Sequence, residues 1–336
     1  MKTYRLHAPR DMRFENVPEP VINPDQVLIR VHTMGVCGSD LHRYTGNFPA
    51  NYPLILGHEF AGDIVQVGAN VADLKVGQRV TAEPNFWCGK CVYCQAGKQN
   101  LCVNRIGLAY HVDGCQAEYV KVPAAFAWRL PDTMSYAQGA MVEPLMASLH
   151  GFRRSRAKLG DTLAILGCGT IGLLALLCAK AAGCRVVAID VVSSKLELAQ
   201  KLGADEIING RDTDPVETIK QMTDGLGLEV VMETAGIAAT VEQAVAMAAQ
   251  GGRVVLVGIS NRPAQVIPAI VVRREIEICG SYLYHAREFA SGIQLIASGA
   301  VDVLALVGLT TDLDHAQEAY DQALAGNVAK ALIKIQ

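Results

Sequence analysis

The sequence predicts an α/β protein in two parts, a mainly-β N-terminal half followed by a doubly wound parallel sheet. Three observations carry this expectation. The 336 residues are enough for two domains of common size. Residues 1–150 hold short alternating or apolar segments ("QVLIRVHTM", "GDIVQVG", "QRVTAE", "AEYVKVP") punctuated by Gly, Pro and Asn, as half-buried strands are. From about residue 160 the grain changes, and strands alternate with helices, the mark of βαβ units whose sheet is covered on both faces.

The second part reads in order as strand "TLAIL" (162–166), helix 170–182, strand "RVVAID" (185–190) and helix 193–202. Strand "EIIN" (206–209), helix 215–223, strand "EVVMET" (229–234) and helix 238–249 follow. The series closes with "GRVVLVG" (252–258) and "EIEICGSYL" (275–283). Beyond residue 285 come helix 286–298, helix 312–325 and a last strand "AKALIKI". These 50 or so residues are too few for a domain of their own, so they are expected to pack back on the N-terminal part.

Composition narrows the function. Half of the residues are hydrophobic (51%), enough for a sizeable core, and the net charge is −3 with no basic block, which argues against nucleic acid as a partner. The N-terminal "MKTYRLHAPRDMRF" lacks a signal-peptide apolar region. The longest apolar run, 171–179, stops at Lys180, far too short to span a membrane. The chain reads as soluble and cytoplasmic. Of its ten cysteines, four crowd into residues 88–102 and six are scattered, which favours a metal over a disulfide scaffold.

"LAILGCGTIG" is a strand, a G-x-G-x-x-G turn (Gly167, Gly169, Gly172) and, through Thr170 and Ile171, the start of a helix. Asp190 ends the next strand, 23 residues past Gly167. That is the dinucleotide fingerprint of a Rossmann unit, with the pyrophosphate at the helix N-terminus. Asp190 is placed to take both adenosine ribose hydroxyls and to repel a 2′-phosphate, so NAD is expected over NADP. Lys195, five residues on, complicates that preference.

Cys88, Cys91, Cys94 and Cys102 are spaced C-x2-C-x2-C-x7-C. Four soft thiolates in one loop close a tetrahedron with no open position, as in a structural zinc site; an iron–sulfur cluster would accept the same four. A second set is dispersed. "CGSDLH" supplies Cys37, Ser39, Asp40 and His42, and "GHEFAG" supplies His58 and Glu59. Cys37 and His58 are of ligand type, but their 21-residue separation alone decides nothing. "VEPLMASLH" reads as a helix start, an acid favoured near a helix N-terminus followed by Pro144.

"GHEFAGDIVQVGANV" has the pattern G-H-E-x2-G-x5-G-x2-V. With "CGSDLH" before it, the four-cysteine loop after it and the glycine turn downstream, nearly the whole chain resembles the zinc-dependent medium-chain alcohol dehydrogenases. The likeness is greatest to the polyol branch, which includes sorbitol and galactitol-1-phosphate dehydrogenases. The resemblance implies a GroES-like catalytic domain at 1–150, a Rossmann coenzyme domain at 151–285 and a segment 286–336 that completes the catalytic domain. It implies an active site in the cleft and two zinc ions per chain. Cys37 and His58 then match catalytic zinc ligands, with Glu59 or Glu143 as the third. Ser39 matches the hydroxyl that meets the substrate oxygen, His42 the outer end of a proton relay, and Asp40 the carboxylate that orients His58. Lys330 matches a basic residue facing Glu59. One departure is visible: many relatives have two glycines and an aromatic where "DGCQAEY" puts Cys115 and Gln116.

The implied reaction is reversible oxidation of a secondary alcohol of a polyol, a sugar alcohol (phosphorylated or not) or a sugar acid, by hydride transfer to NAD. Threonine 3-dehydrogenase and butanediol-type activity are the alternatives, and a non-catalytic zinc-stabilised NAD-binding protein is the reading from another class. The resemblance also implies a homodimer or homotetramer.

Overall fold

The computed structural model describes residues 1–336 and divides into two compact units. One comprises residues 1–144, 285–299 and 306–336; the other comprises 145–284 and 300–305. The boundary falls inside the helix Val142–Ser155.

The first unit is built on the strand Gln26–Gly35, whose antiparallel partners are Glu59–Val67, Tyr119–Pro123 and Lys330–Lys334. β-Branched residues alternate along it, and Val27, Ile29 and Val31 are fully buried with Phe60, Ile64 and Val80 in one core. A strand of this kind hides one face and carries its partners by register. The seven-stranded sheet ends on Val307–Asp312, which runs parallel to Lys330–Lys334. A smaller sheet pairs Lys2–Ala8 with Asp11–Asn16 and Leu54–Ile55.

The second unit is a six-stranded, wholly parallel sheet in the order Glu206–Asn209, Arg185–Asp190, Thr162–Leu166, Leu228–Glu233, Ala248–Leu256, Glu277–Gly280. The chain order reverses at Thr162–Leu166, so the carboxyl ends of Thr162–Leu166 and Leu228–Glu233 flank the crevice where such sheets bind ligands. Ala164, Leu166, Val187, Ile189, Val231 and Val254 fill its core.

Four elements differ from the sequence reading, the first being the strand expected at 275–283, which is confined to Glu277–Gly280. The helix expected at 312–325 begins at Ala316 and ends at Leu324, after a turn Leu313–His315, and an unforeseen strand Val307–Asp312 precedes it. "VGLTTD" has no helical periodicity and gains its strand only by pairing with the chain's end. The helix Pro268–Arg273, opened by proline at a position where a missing N–H is harmless, escaped notice because it is one short turn and a half. The helix 238–249 stops at Met247, and the strand after it begins at Ala248 rather than 252. No helix is long and apolar enough to cross a membrane.

Candidate active site

Within the first unit, the ligand atoms of Cys37, His58 and Glu59 lie within 4.8 Å of one another. Local structure explains two of the three. Cys37 is the cap residue of the helix Gly38–Tyr44, so its side chain stands at a helix start. His58 follows Gly57, whose φ of +86° turns the chain at the head of the strand Glu59–Val67. An L-residue at 57 would strain that backbone. Asp40 ties the two segments together. Fully buried, its carboxylate accepts the N–H of Cys37 (3.2 Å) and of Gly57 (3.3 Å) and stands 3.4 Å from His58 Nδ1. Holding Nδ1 leaves Nε2 for a metal. Burial alone would push His58 down, yet the charges of Asp40 and Cys37 raise it well above the ordinary imidazole range. The same negative surroundings stabilise any cation placed there, a divalent metal included.

Glu59 is reached from the other side by Lys330, which forms a fully buried ion pair with it and donates to the Val36 carbonyl at 3.0 Å. Gly35 makes this possible. It is paired with Glu59 on one side and Leu332 on the other. A Cβ on Gly35 would strike the Glu59 carboxylate and come within 2.9 Å of Lys330 Cε. The two side chains meet over the one residue that has none.

Glu143 lies in the first turn of Val142–Ser155 and is 7% exposed, but it is outside the 4.8 Å set. The carboxylate that the fold brings to Cys37 and His58 is that of Glu59. Glu143 instead acts on Glu83, an acid that sequence reasoning passed over. Burial pushes Glu83 up to about 8 despite the Trp87 indole beside it, and the charge of Glu143 adds to the rise. An acid between a strand and a proline, in "TAEP", was the available signal. Ser39 is half-buried on the helix Gly38–Tyr44; His42, on the same helix, is exposed and stacks on Phe48 with ring centres 4.7 Å apart.

The four thiols of Cys88, Cys91, Cys94 and Cys102 also lie within 4.8 Å of one another, and none is in a disulfide. Backbone N–H groups of Lys90 and Cys91 bring Cys88 down to about 6, whereas burial and neighbouring sulfurs push Cys94 up to about 12. A dication held among the four would favour each as its thiolate, the form that binds metal.

In the second unit, Gly167 has φ +98° and Gly169 caps the helix Thr170–Ala181. Open space lies where a Gly169 side chain would be, whereas a Cβ on Gly172 would strike Thr234 Oγ1 at 2.7 Å and the Gly167 carbonyl. Room for a phosphate and close helix–strand packing are the two uses of those glycines. Asp190 accepts the N–H of Cys168 (2.7 Å), Val191 (2.7 Å) and Val192 (2.9 Å), which holds it at the strand end. Lys195, half-buried on Ser193–Lys201, is close enough to act electrostatically on Cys168. Glu233 was not foreseen. Fully buried at the end of its strand, it accepts from the Ala235 and Gly236 N–H groups (2.9 and 2.8 Å) and shapes the other lip of the crevice.

One protein that gathers three mixed donors around one point, and also builds a dinucleotide crevice, is organised for metal-assisted redox chemistry. The class that unites these features is the zinc-binding dehydrogenases. Comparison with known proteins agrees. Residues 23–132 match the alcohol dehydrogenase GroES-like domain and residues 170–298 the zinc-binding dehydrogenase domain. Sorbitol dehydrogenase of Bacillus subtilis (strain 168) is 40% identical over 331 residues, 96% of this chain and 94% of that one. D-arabitol-phosphate dehydrogenase of Enterococcus avium is 35% identical over 342 residues, 99% of this chain and 97% of that one. The solved structure of a zinc-binding dehydrogenase from Sinorhizobium meliloti 1021, bound to NADP, superposes with a TM-score of 0.95 at 36% identity, covering 99% of each chain. This chain belongs to the zinc-binding alcohol dehydrogenase family: a GroES-like domain joined to a Rossmann-type parallel sheet.

Proposed function

We propose that this protein is a zinc-dependent, NAD-linked polyol dehydrogenase. It interconverts a secondary alcohol of a sugar alcohol, free or phosphorylated, or of a sugar acid with the ketone. The observation that carries the reading is the convergence of Cys37, His58 and Glu59 on one point. One thiolate, one imidazole and one carboxylate suit zinc, and three protein donors leave a fourth tetrahedral position for a substrate oxygen. The four-cysteine loop leaves none, so its zinc folds the loop. The named substrates of the relatives, sorbitol and D-arabitol phosphate, support a polyol.

When bound, zinc supplies Lewis acidity toward the substrate hydroxyl and the nicotinamide accepts the hydride. The chain's own residues do the rest. Asp40 holds His58 Nδ1, fixing the ring for the metal. Lys330 offsets part of the negative charge of Glu59. Ser39 Oγ accepts the proton of the substrate hydroxyl as it gives up its own toward His42, which, exposed beside Phe48, releases a proton to solvent. Gly169, Thr170 and Ile171 present N–H groups at the helix start to the pyrophosphate, while Gly167 makes the turn and Gly172 the close helix–strand packing; Asp190 meets the adenosine ribose and disfavours the 2′-phosphate of NADP.

The assembly is a homodimer or homotetramer. The exposed edge strand Glu277–Gly280, with Ile278 39% accessible, supports this reading, since unpaired edges invite pairing. Ten free cysteines support a reducing, cytoplasmic setting.

The test is NADH production across four- to six-carbon polyols, their phosphates, sugar acids and threonine, together with zinc content. Wild type is expected to hold two zinc ions. Cys37→Ser and His58→Ala are expected to lose one and all turnover while still binding NAD. Turnover retained in either variant refutes the zinc assignment, and threonine as the only good substrate refutes the polyol reading.

A further inference from the structure

The segment that delivers His58 is clamped by residues 114–116. Gly114 N–H donates to Ile55 O (2.8 Å), Cys115 N–H to Gly57 O (2.9 Å) and Gln116 N–H to Leu56 O (3.0 Å). The approach is close enough that a Cβ on Gly114 would strike both the Leu56 and Gly57 carbonyl oxygens and come 2.7 Å from Ala109 Cβ. Gln116 is fully buried, and its polar groups all have work. Its carbonyl accepts from Thr3 Oγ1 (2.8 Å) and from the Tyr4 N–H (3.2 Å). Its side-chain Oε1 accepts from the Tyr320 hydroxyl at 2.7 Å, and Nε2 faces Met12 Sδ at 3.7 Å.

Tyr320, also fully buried, stands on the helix Ala316–Leu324 and meets Tyr44 edge-on, ring centres 5.5 Å apart. From the same helix, Gln317 Nε2 donates to the Tyr44 hydroxyl at 2.9 Å. Tyr44 ends the short helix that begins after Cys37 and contains Asp40. Gln116 therefore touches, directly or through one side chain, both segments that bear the metal donors. A leucine would fill this space without the cost of burying an amide. The amide contributes direction: its bonds admit one placement of the 55–58 turn against the helix.

We propose that Gln116, through its bond to Tyr320, is a positioning residue for the Cys37–His58–Glu59 metal centre. The inference rests on the reading that this centre binds zinc, and it names the residues that hold the donors in register. A metal site tolerates displacements of only about 0.5 Å in its donors. Loss of groups behind the ligands characteristically costs roughly ten- to a hundred-fold in metal affinity.

The experiment follows zinc release from the two-zinc enzyme into a chromogenic chelator, for wild type, Gln116→Leu and Tyr320→Phe. Tyr320→Phe deletes a single oxygen and guards against a misfolded Gln116 variant. Cys37→Ser and Cys94→Ser assign the two release phases. Release from the Cys37 centre is expected to quicken about ten-fold or more in both variants. Release from the four-cysteine loop stays within two-fold of wild type, and the double variant releases no faster than the single ones, because one bond is lost in all. A lower kcat with unchanged KM for NAD accompanies it. Equal quickening at both centres marks general softening and overturns the proposal, as does unchanged release from a two-zinc wild type. One zinc per wild-type chain, unaffected by Cys37→Ser, overturns the metal reading itself and this inference with it.

Discussion

Gly35→Ala adds one methyl group, and the structure says where it goes. It lands in the Glu59 carboxylate, 2.9 Å from Lys330 Cε and 3.1 Å from Nζ. The strand cannot move aside, because Gly35 is paired on both edges. The ion pair must therefore separate. Both side chains are only 1% accessible, so neither charge finds water when it does. Removing one member of a buried pair costs about 3–5 kcal/mol, and overpacking alone costs about 1–3 kcal/mol. Gly35→Ala is expected to cost about 3 kcal/mol or more, and Lys330→Met about as much. In the Lys330→Met background the added methyl meets a flexible neutral chain, so the two costs should fall short of additive by more than about 1 kcal/mol. The assay is denaturant unfolding followed by tryptophan fluorescence at one buffered free-zinc concentration, since bound metal shifts stability by mass action. Trp87 and Trp128, the only two tryptophans, both belong to the unit that contains the pair, so the signal reports that unit. A cost below about 1 kcal/mol for Gly35→Ala, or strict additivity with Lys330→Met, refutes the reasoning.

Three further outcomes follow from the geometry. Cys94→Ser should lower zinc by one ion per chain and expose residues 88–104 to limited proteolysis, with the zinc that depends on Cys37 retained; loss of both ions by elemental analysis would contradict independent sites. Asp190→Ala should raise KM for NAD about ten-fold or more, as expected for a lost hydrogen bond to a charged group of about 1.5–3 kcal/mol, and should narrow the NAD/NADP ratio; an unchanged ratio in steady-state kinetics contradicts its role. Asp205 accepts from Lys180 Nζ and from the Val186 N–H, both at 2.7 Å. Burial would raise its carboxyl, but these partners outweigh it and the pKa is lowered. A depressed carboxyl stabilises the fold above its unfolded value of about 3.9 and loses that contribution as pH falls through the lower folded value. Asp205→Asn should therefore cost about 0.5–1 kcal/mol at pH 7, discounted for partial exposure, with the wild-type advantage shrinking in calorimetric melts as pH falls below the unfolded value through the lower folded one; a gap that stays constant as the pH is lowered contradicts the ion pair.

How much could be read in advance depended on sequence distance. The four-cysteine loop was legible because its ligands fall within residues 88–102, and a short loop closes on a metal with little help from elsewhere. The glycine turn was legible because strand, turn and helix are consecutive, and Asp190 ends the next strand in register beside it. The strand Val307–Asp312 was not legible, since it exists only by pairing with the end of the chain. Glu83 and Glu233 escaped because their importance is burial, which local sequence does not display.

The sequence by itself carried the family resemblance, the four-cysteine set and the glycine turn, the last two because they rest on residue types at short, fixed spacings; Cys37 and His58, 21 residues apart, came only through the resemblance. Only the tertiary structure decided which carboxylate joins Cys37 and His58. Glu59 and Glu143 were equal candidates along the chain, and sheet register brings Glu59 within 4.8 Å of both, while the charge of Glu143 acts on Glu83. It likewise decided that Lys330 and Glu59, which the resemblance already set facing each other, meet over Gly35, and that Tyr320 reaches Gln116 across 204 residues. Such meetings depend on strand pairing summed over the whole unit, a quantity no local pattern of residues contains.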